Sequence, residues 1–166
     1  MKFKQCPNYN DGRKYKISGE KGNIITKVDK TDNIMGIICE NELEKKIEYK
    51  WKITILKTKD FCINIGVTPI DFDLNSNKPY QYGWYFYCKN RTLYSGTPHN
   101  YLAKATNFNK VKKEIIVIMN MNKRTLQFII DNEDKGISYT DIPIDKPLCP
   151  IVTLLSYNDS IEINEC

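Results

Sequence analysis

The sequence predicts an all-β fold, organised as a sandwich or a barrel. Residues 50–55 alternate strictly, which places Trp51, Ile53 and Ile55 on one face of an extended chain. Strand-like runs of about five to seven residues recur, with turn signals about ten residues apart. No segment keeps a period of about 3.6 residues through three turns, so the sequence predicts strands and turns rather than helices.

Three short runs in the N-terminal part are candidate strands. They occupy residues 14–18, 23–28 and 34–38. Gly19 and Gly22 enclose a polar segment between the first two runs, which is typical of a tight turn.

Two alternating runs follow at residues 50–55 and 61–67. Residues 58–60 between them are polar and form a short connection. Two such runs with a short polar connection predict a β-hairpin.

The clearest hairpin lies in the second half of the chain. It comprises residues 114–119 and 125–130, joined by the polar turn 120–124. Residues 114–119 are apolar on both sides, which predicts a central position in a sheet. Residues 82–88 are aromatic on both faces, a composition that favours strands.

The C-terminal segment repeats the same pattern. Residues 150–155 and 160–164 are rich in β-forming residues, and the polar residues 156–159 between them predict a turn.

Length and composition favour one compact body. A chain of 166 residues and 19.4 kDa is one domain's worth and buries enough surface for a stable monomer, so we expect a monomer. The chain has no run of about eighteen apolar residues and its start lacks the apolar core of a signal peptide. We therefore expect a cytoplasmic protein without a membrane partner.

The net charge of +5 comes from the N-terminal part. Residues 1–60 hold 14 basic and 9 acidic groups, whereas residues 61–166 hold 11 of each. This modest excess does not favour a nucleic-acid partner, and residues 40–46 mix Lys with Glu as a solvated loop does. A basic surface for RNA or DNA stays open as an alternative, which would need these residues on one face: Lys14, Lys16, Lys27, Lys45 and Lys46.

The chemistry-bearing residues do not form a recognisable site. The six cysteines include no Cys-x-x-Cys pair, and His99 is the one histidine, so the sequence predicts no zinc site. Cys62, Cys88 and Cys149 lie in apolar runs and are expected to be buried, reduced thiols. Residues 71–75 begin like a calcium loop but lack its Gly and Glu. We expect no catalytic residue, no metal and no cofactor.

Several short motifs follow one another in a recognisable order. They are residues 49–53, 63–67, 83–84, 93–96, 116–120, 124–128, 136–139, 148–152 and 161–163. This order resembles that of SPRY domains, also called B30.2-like domains. The resemblance implies a bent antiparallel β-sandwich of the SPRY or concanavalin-like jelly-roll type. We expect one SPRY-like domain over residues 1–166, with N-terminal strands and an extension in 1–35 and the core in 36–166.

The chain departs from the family pattern at three places. Lys112-Lys113 replaces the usual Gly-Asp before the long central strand, and Asp131-Asn132 replaces the usual Asn-Gly after the next strand. Cys149 takes the place of an aromatic residue. These changes concern turns and packing, so they bear on loop geometry rather than on the fold.

The resemblance also implies a function. SPRY domains of this kind are non-enzymatic, adaptor-like interaction modules that bind a partner peptide or domain through loops at one rim. Carried onto this chain, the loops are residues 27–33, 77–82 and 155–158. The expected ligand-binding residues are Lys27, Asp29, Asp32, Tyr80, Tyr82, Leu155, Ser156 and Tyr157.

The partner itself does not follow from the resemblance. Ser156-Tyr157 stands where peptide-binding relatives have Trp-Gly, so we expect a different ligand. A glycan-binding jelly roll is a further alternative, with Tyr85 or Tyr87 as the sugar platform.

Overall fold

The computed structural model describes residues 3–4, 14–31, 35–39, 43–44, 47–71, 82–97, 100–106, 109 and 111–166. Within these residues the chain forms strands, turns and loops, without a helix. The strands make two seven-stranded antiparallel sheets, which confirms the sandwich.

The first sheet has the order β1-β4-β13-β6-β7-β8-β9. Its strands are β1 (Phe3–Lys4), β4 (Met35–Cys39), β13 (Leu148–Leu154), β6 (Ile63–Pro69), β7 (Gly83–Tyr87), β8 (Thr92–Thr97) and β9 (Asn100–Ala105).

The second sheet has the order β12-β11-β10-β5-β14-β3-β2. Its strands are β12 (Glu133–Tyr139), β11 (Thr125–Ile130), β10 (Glu114–Asn120), β5 (Glu48–Lys57), β14 (Ser160–Glu165), β3 (Ile24–Lys27) and β2 (Tyr15–Ser18).

The core lies between the two sheets and takes alternate residues from each strand. Trp51 and Ile53 of β5 are buried there, and Trp84 of β7 is half-buried against the same core. Phe86 of the first sheet meets Phe128 of the second, with ring centroids 5.6 Å apart. The phase predicted for Trp51, Ile53 and Ile55 is therefore confirmed.

Each edge strand of the second sheet carries a tyrosine whose hydroxyl group hydrogen-bonds to the backbone of the first sheet. The hydroxyl of Tyr139 on β12 donates to the carbonyl oxygens of Tyr85 (2.8 Å) and Tyr94 (2.9 Å) in the first sheet. At the opposite edge, the hydroxyl of Tyr15 on β2 donates to the carbonyl oxygen of Leu154 at 3.3 Å. These hydrogen bonds fasten the outermost strands to the facing sheet.

One predicted hairpin is confirmed and another is wrong. β10 and β11 pair in register from Ile115↔Ile130 to Asn120↔Thr125, as expected. β5 and β6 do not pair, because β5 lies between β10 and β14 while β6 lies between β13 and β7. The segment that joins them crosses from one sheet to the other, with Phe61 at a φ of 58°. Alternation predicts a strand correctly but does not tell which strand it pairs with.

Two of the departures from the family pattern lie next to each other in space. The Asp131 carboxylate accepts the backbone N–H groups of Lys112 (2.5 Å), Lys113 (2.9 Å) and Glu114 (2.8 Å). Burial acts to raise the pKa of Asp131, but the hydrogen bonds outweigh it and the pKa lies below its ordinary value. The acidic side chain after β11 thus organises the segment before β10.

Gly66 lies where β6 runs against β7. A Cβ at this position would be 1.9 Å from the carbonyl oxygen of Trp84 and 3.0 Å from the Cα of Tyr85. These are backbone atoms of the neighbouring strand, which cannot move away without loss of the β6–β7 hydrogen bonds.

Replacement of Asp131 by alanine should lower the free energy of unfolding by about 2 kcal/mol, since three backbone donors lose a charged acceptor. Because the folded-state pKa is depressed, this contribution is present above the ordinary carboxyl pKa and disappears as the pH falls through the folded-state value. Urea denaturation of wild type and Asp131→Ala at pH 7 and at progressively lower pH measures both effects. Asp145→Ala, at an exposed carboxyl, should change stability by less than about 0.5 kcal/mol.

Gly66→Ala should destabilise the protein by about 3 kcal/mol or more, because the methyl group overlaps backbone that is held in the sheet. Gly136→Ala is the matched control: its φ is +79°, but a Cβ there meets no atom within 4 Å. It should cost about 1 kcal/mol from backbone strain alone. Equal costs for the two substitutions would contradict the predicted clash at Gly66.

Candidate functional site

Two of the three loops expected to bind a partner meet at one end of the sandwich. The backbone N–H of Asn158 donates to the carbonyl oxygen of Lys27, and the N–H of Lys27 donates to that of Asp159, both at 2.9 Å. The Nζ atom of Lys30 lies 5.9 Å from the centroid of the Tyr157 ring. We call residues 27–31 and 155–159 the Tyr157 rim.

Tyr82 lies at the other end of the first sheet. Its carbonyl oxygen accepts a hydrogen bond from Thr68 Oγ1 at 2.9 Å, near the end of β6. The Tyr157 rim lies near the beginning of β6, where the Leu155 N–H donates to the Cys62 carbonyl oxygen at 3.2 Å. The strand between these points spans about 20 Å. The expectation that Tyr82 borders the same surface as Tyr157 is therefore wrong, because β7 begins at the end of the sheet where β13 begins.

Lys27 is a structural element of the rim rather than an exposed side chain. It follows Ile25 on the inward phase of β3 and is 1% exposed. Its Nζ atom donates to the carbonyl oxygens of Asp29 (2.9 Å) and Thr31 (2.6 Å). This corrects the expectation that Lys27 contacts a ligand directly. Its ammonium group instead stabilises the loop 29–31 at the end of β3 by hydrogen bonds to the loop backbone.

Asp29 stabilises the same loop. Its carboxylate accepts the Thr31 N–H at 3.0 Å and also the Thr31 hydroxyl. These bonds lower the pKa of Asp29. The N–H groups of Val28 and Asp29 donate to the Lys14 carbonyl oxygen, which ties the loop to the start of β2.

The turn 155–159 rests on a buried carboxylate. Asp159 is fully buried, and its carboxylate accepts the N–H groups of Ser156 (3.1 Å) and Lys59 (3.2 Å). Burial raises the pKa of Asp159. Ser156 is also buried and donates its hydroxyl to Asp60 Oδ1 at 3.0 Å. Leu155 is half-buried, which leaves Tyr157, 47% exposed, as the large side chain that this turn presents to solvent.

A polar cluster beneath the turn was not predicted from the sequence. The thiol of Cys62 accepts hydrogen bonds from the Tyr87 hydroxyl (3.3 Å) and from Lys89 Nζ (3.5 Å). Lys89 also pairs with Asp60 at 3.6 Å. Burial raises the pKa of the Cys62 thiol. Cys62, as expected, is buried and forms no disulfide.

The two tyrosines proposed as a sugar platform differ in burial. Tyr85 is fully buried in a second cluster with Cys149 and Ile151, and its hydroxyl donates to the Tyr82 carbonyl oxygen at 2.6 Å. Tyr87 is half-buried, and its ring centroid lies 6.0 Å from that of Tyr94. Tyr85 is excluded as a platform by its burial.

Several expected residues lie outside the described part of the chain. They are Asp32, Lys45, Lys46, Tyr80 and His99, together with residues 77–81. Among the residues that are described, no group of three or more His, Cys, Asp or Glu side chains could hold a metal ion. The described residues also contain no helix with the length and hydrophobicity needed to cross a bilayer.

Comparison with known proteins identifies the family. A sequence model of the SPRY domain matches residues 48–166. The chain belongs to the SPRY domain family. SPRY domains are generally protein-interaction modules, built on a non-catalytic fold.

Solved structures agree with this assignment at the level of the fold. The crystal structure of the SPRY domain of human HERC1 superposes with a TM-score of 0.73 at 16% identity, covering 91% of this chain and 92% of that one. The TRIM65 PSpry domain gives a TM-score of 0.64 at 10% identity, covering 93% and 86%. No curated protein matches the sequence.

Substitution of Lys27 by methionine should loosen the loop after β3. Methionine keeps the aliphatic volume but removes both hydrogen bonds from Nζ, so amide hydrogen exchange in residues 28–31 should accelerate by about tenfold or more. Lys30→Met, at an exposed neighbour, is the control and should leave exchange there unchanged. Equal protection in wild type and Lys27→Met would refute the structural role of Lys27.

Proposed function

We propose that this SPRY domain is a non-enzymatic binding module whose protein partner docks on the Tyr157 rim. The single observation that carries the proposal is the exposed Tyr157 side chain. It lies on a turn that is fixed by hydrogen bonds of the buried residues Ser156 and Asp159. An exposed aromatic on a rigid base offers contact area at a small entropic cost, which is typical of residues that dominate binding energy.

The rigid base matters for affinity. Asp159, Ser156 and Asp60 fix the turn by hydrogen bonds, and Lys27 fixes the facing loop. A partner that docks there orders few side chains, so less of the contact energy is lost to conformational entropy.

Other functions have less support. A glycan platform at Tyr85 is excluded by burial. The carboxylates of Asp29, Asp60 and Asp159 near the rim accept hydrogen bonds from the turns. Lys27, one of the lysines required for a nucleic-acid surface, is buried. The buried thiols Cys62 and Cys88 support action in a reducing compartment, consistent with the cytoplasm.

Tyr157→Ala should weaken capture of the partner by about thirtyfold, the equivalent of about 2 kcal/mol for a central aromatic. The melting temperature should stay nearly unchanged, because the side chain is exposed. Quantitative mass spectrometry of proteins captured from native lysate identifies the partner, and titration calorimetry with the purified partner gives the change in affinity.

The matched control is Ile137→Ala, which removes another exposed apolar side chain, 55% accessible, from β12. It should capture the same partner as wild type. A partner that binds Tyr157→Ala and wild type equally would place the binding surface elsewhere.

A further inference from the structure

The two ends of the sandwich differ in charge. At the end that carries the Tyr157 rim, the described segments between strands hold seven basic residues: Lys14, Lys30, Lys59, Lys89, Arg91, Lys112 and Lys113. They hold four acidic residues: Asp29, Asp60, Asp131 and Asp159. The balance of these described segments is +3.

The opposite end is weakly acidic, with a balance of −1 over its described connecting segments. Its described connecting segments hold five acidic residues: Glu20, Glu44, Asp71, Asp141 and Asp145. They hold four basic residues: Lys21, Lys123, Arg124 and Lys146. Three of the basic residues among the first 60 positions, Lys14, Lys30 and Lys59, therefore lie at the end of the sandwich that carries the rim.

The four acidic groups at the rim end are engaged within the protein. Asp131 accepts three backbone N–H groups and the buried Asp159 accepts two. Asp29 is bonded to Thr31, and Asp60 to Ser156 and Lys89. These carboxylates therefore support turns, and their charges are included in the +3 balance.

Two exposed lysines at the rim end, Lys30 and Lys59, have a different environment. Lys30 and Lys59 are exposed, and no carboxylate of the described residues lies within ion-pair distance of either. Lys59 is next to the turn because its backbone N–H donates to Asp159. Lys30 lies over the Tyr157 ring, so a cation and an aromatic face are presented together.

We infer that the Tyr157 rim selects an acidic peptide segment, in which carboxylates pair with Lys30 and Lys59 while an adjacent apolar group packs on Tyr157. This inference rests on the proposed function and specifies its partner. Charge complementarity of this kind accelerates encounter and rejects cationic competitors, whereas the aromatic contact supplies much of the affinity. A single aromatic flanked by lysines favours a compact peptide over a nucleic acid, which uses a longer basic track with several stacking platforms.

The experiment is a selection of random peptides displayed on phage against the immobilised full chain. The selected peptides should carry a net negative charge, and their affinity should fall with added salt. Lys30→Glu combined with Lys59→Glu should weaken them by about tenfold or more, since attraction becomes repulsion. The control, Lys50→Glu with Lys123→Glu, makes the same change in net charge at exposed sites away from the rim and should leave affinity within about twofold.

Other outcomes of the selection separate the acidic preference from the proposed function. Neutral or basic peptides that are lost on Tyr157→Ala but not on charge reversal would overturn the acidic preference and leave the proposed function standing. Peptides insensitive to both changes would overturn both, and the absence of any enriched peptide would overturn the acidic-peptide inference. A labelled single-stranded RNA that binds more tightly than every selected peptide, and is lost on the same reversal, would replace the peptide by a nucleic acid.

Discussion

The contact between the two sheets constrains every other part of this molecule. Phe86 and Phe128 meet across the core, while Tyr15 and Tyr139 hydrogen-bond from the edge strands to the facing backbone. Since one face of each strand must point to this core, the phase of each strand is set. The antiparallel strand order then sets the end at which each loop emerges. The position of the Tyr157 rim follows from this arrangement.

The rim combines a rigid interior with a permissive surface. Its buried polar groups, Lys27 and Asp159, bond to backbone atoms and hold the two loops in place. A buried charge is costly unless it is bonded in this way, so these residues are fixed by folding. The exposed side chains of Lys30 and Tyr157 are not required for folding in this way. Residues at such positions can differ between SPRY domains, so the same scaffold can bind different partners.

The departures from the family pattern show how such a scaffold tolerates change. An acidic residue is missing before β10, yet Asp131 after β11 supplies a carboxylate to the N–H groups of Lys112, Lys113 and Glu114. Both segments lie at the same end of the β10–β11 hairpin, so the carboxylate after β11 reaches the backbone N–H groups before β10. The two substitutions are compatible because they are neighbours in space.

Four features can be predicted from local alternation and turn residues: the all-β class, the inward phase of Trp51 and Ile53, the β10–β11 hairpin and the turn that carries Tyr157. Three others emerge from the folded chain alone: β5 and β6 belong to different sheets, Lys27 is buried, and Tyr82 lies about 20 Å from the rim. Pairing and burial depend on contacts between residues far apart in the chain, and a period of two carries no information about which distant strand supplies them.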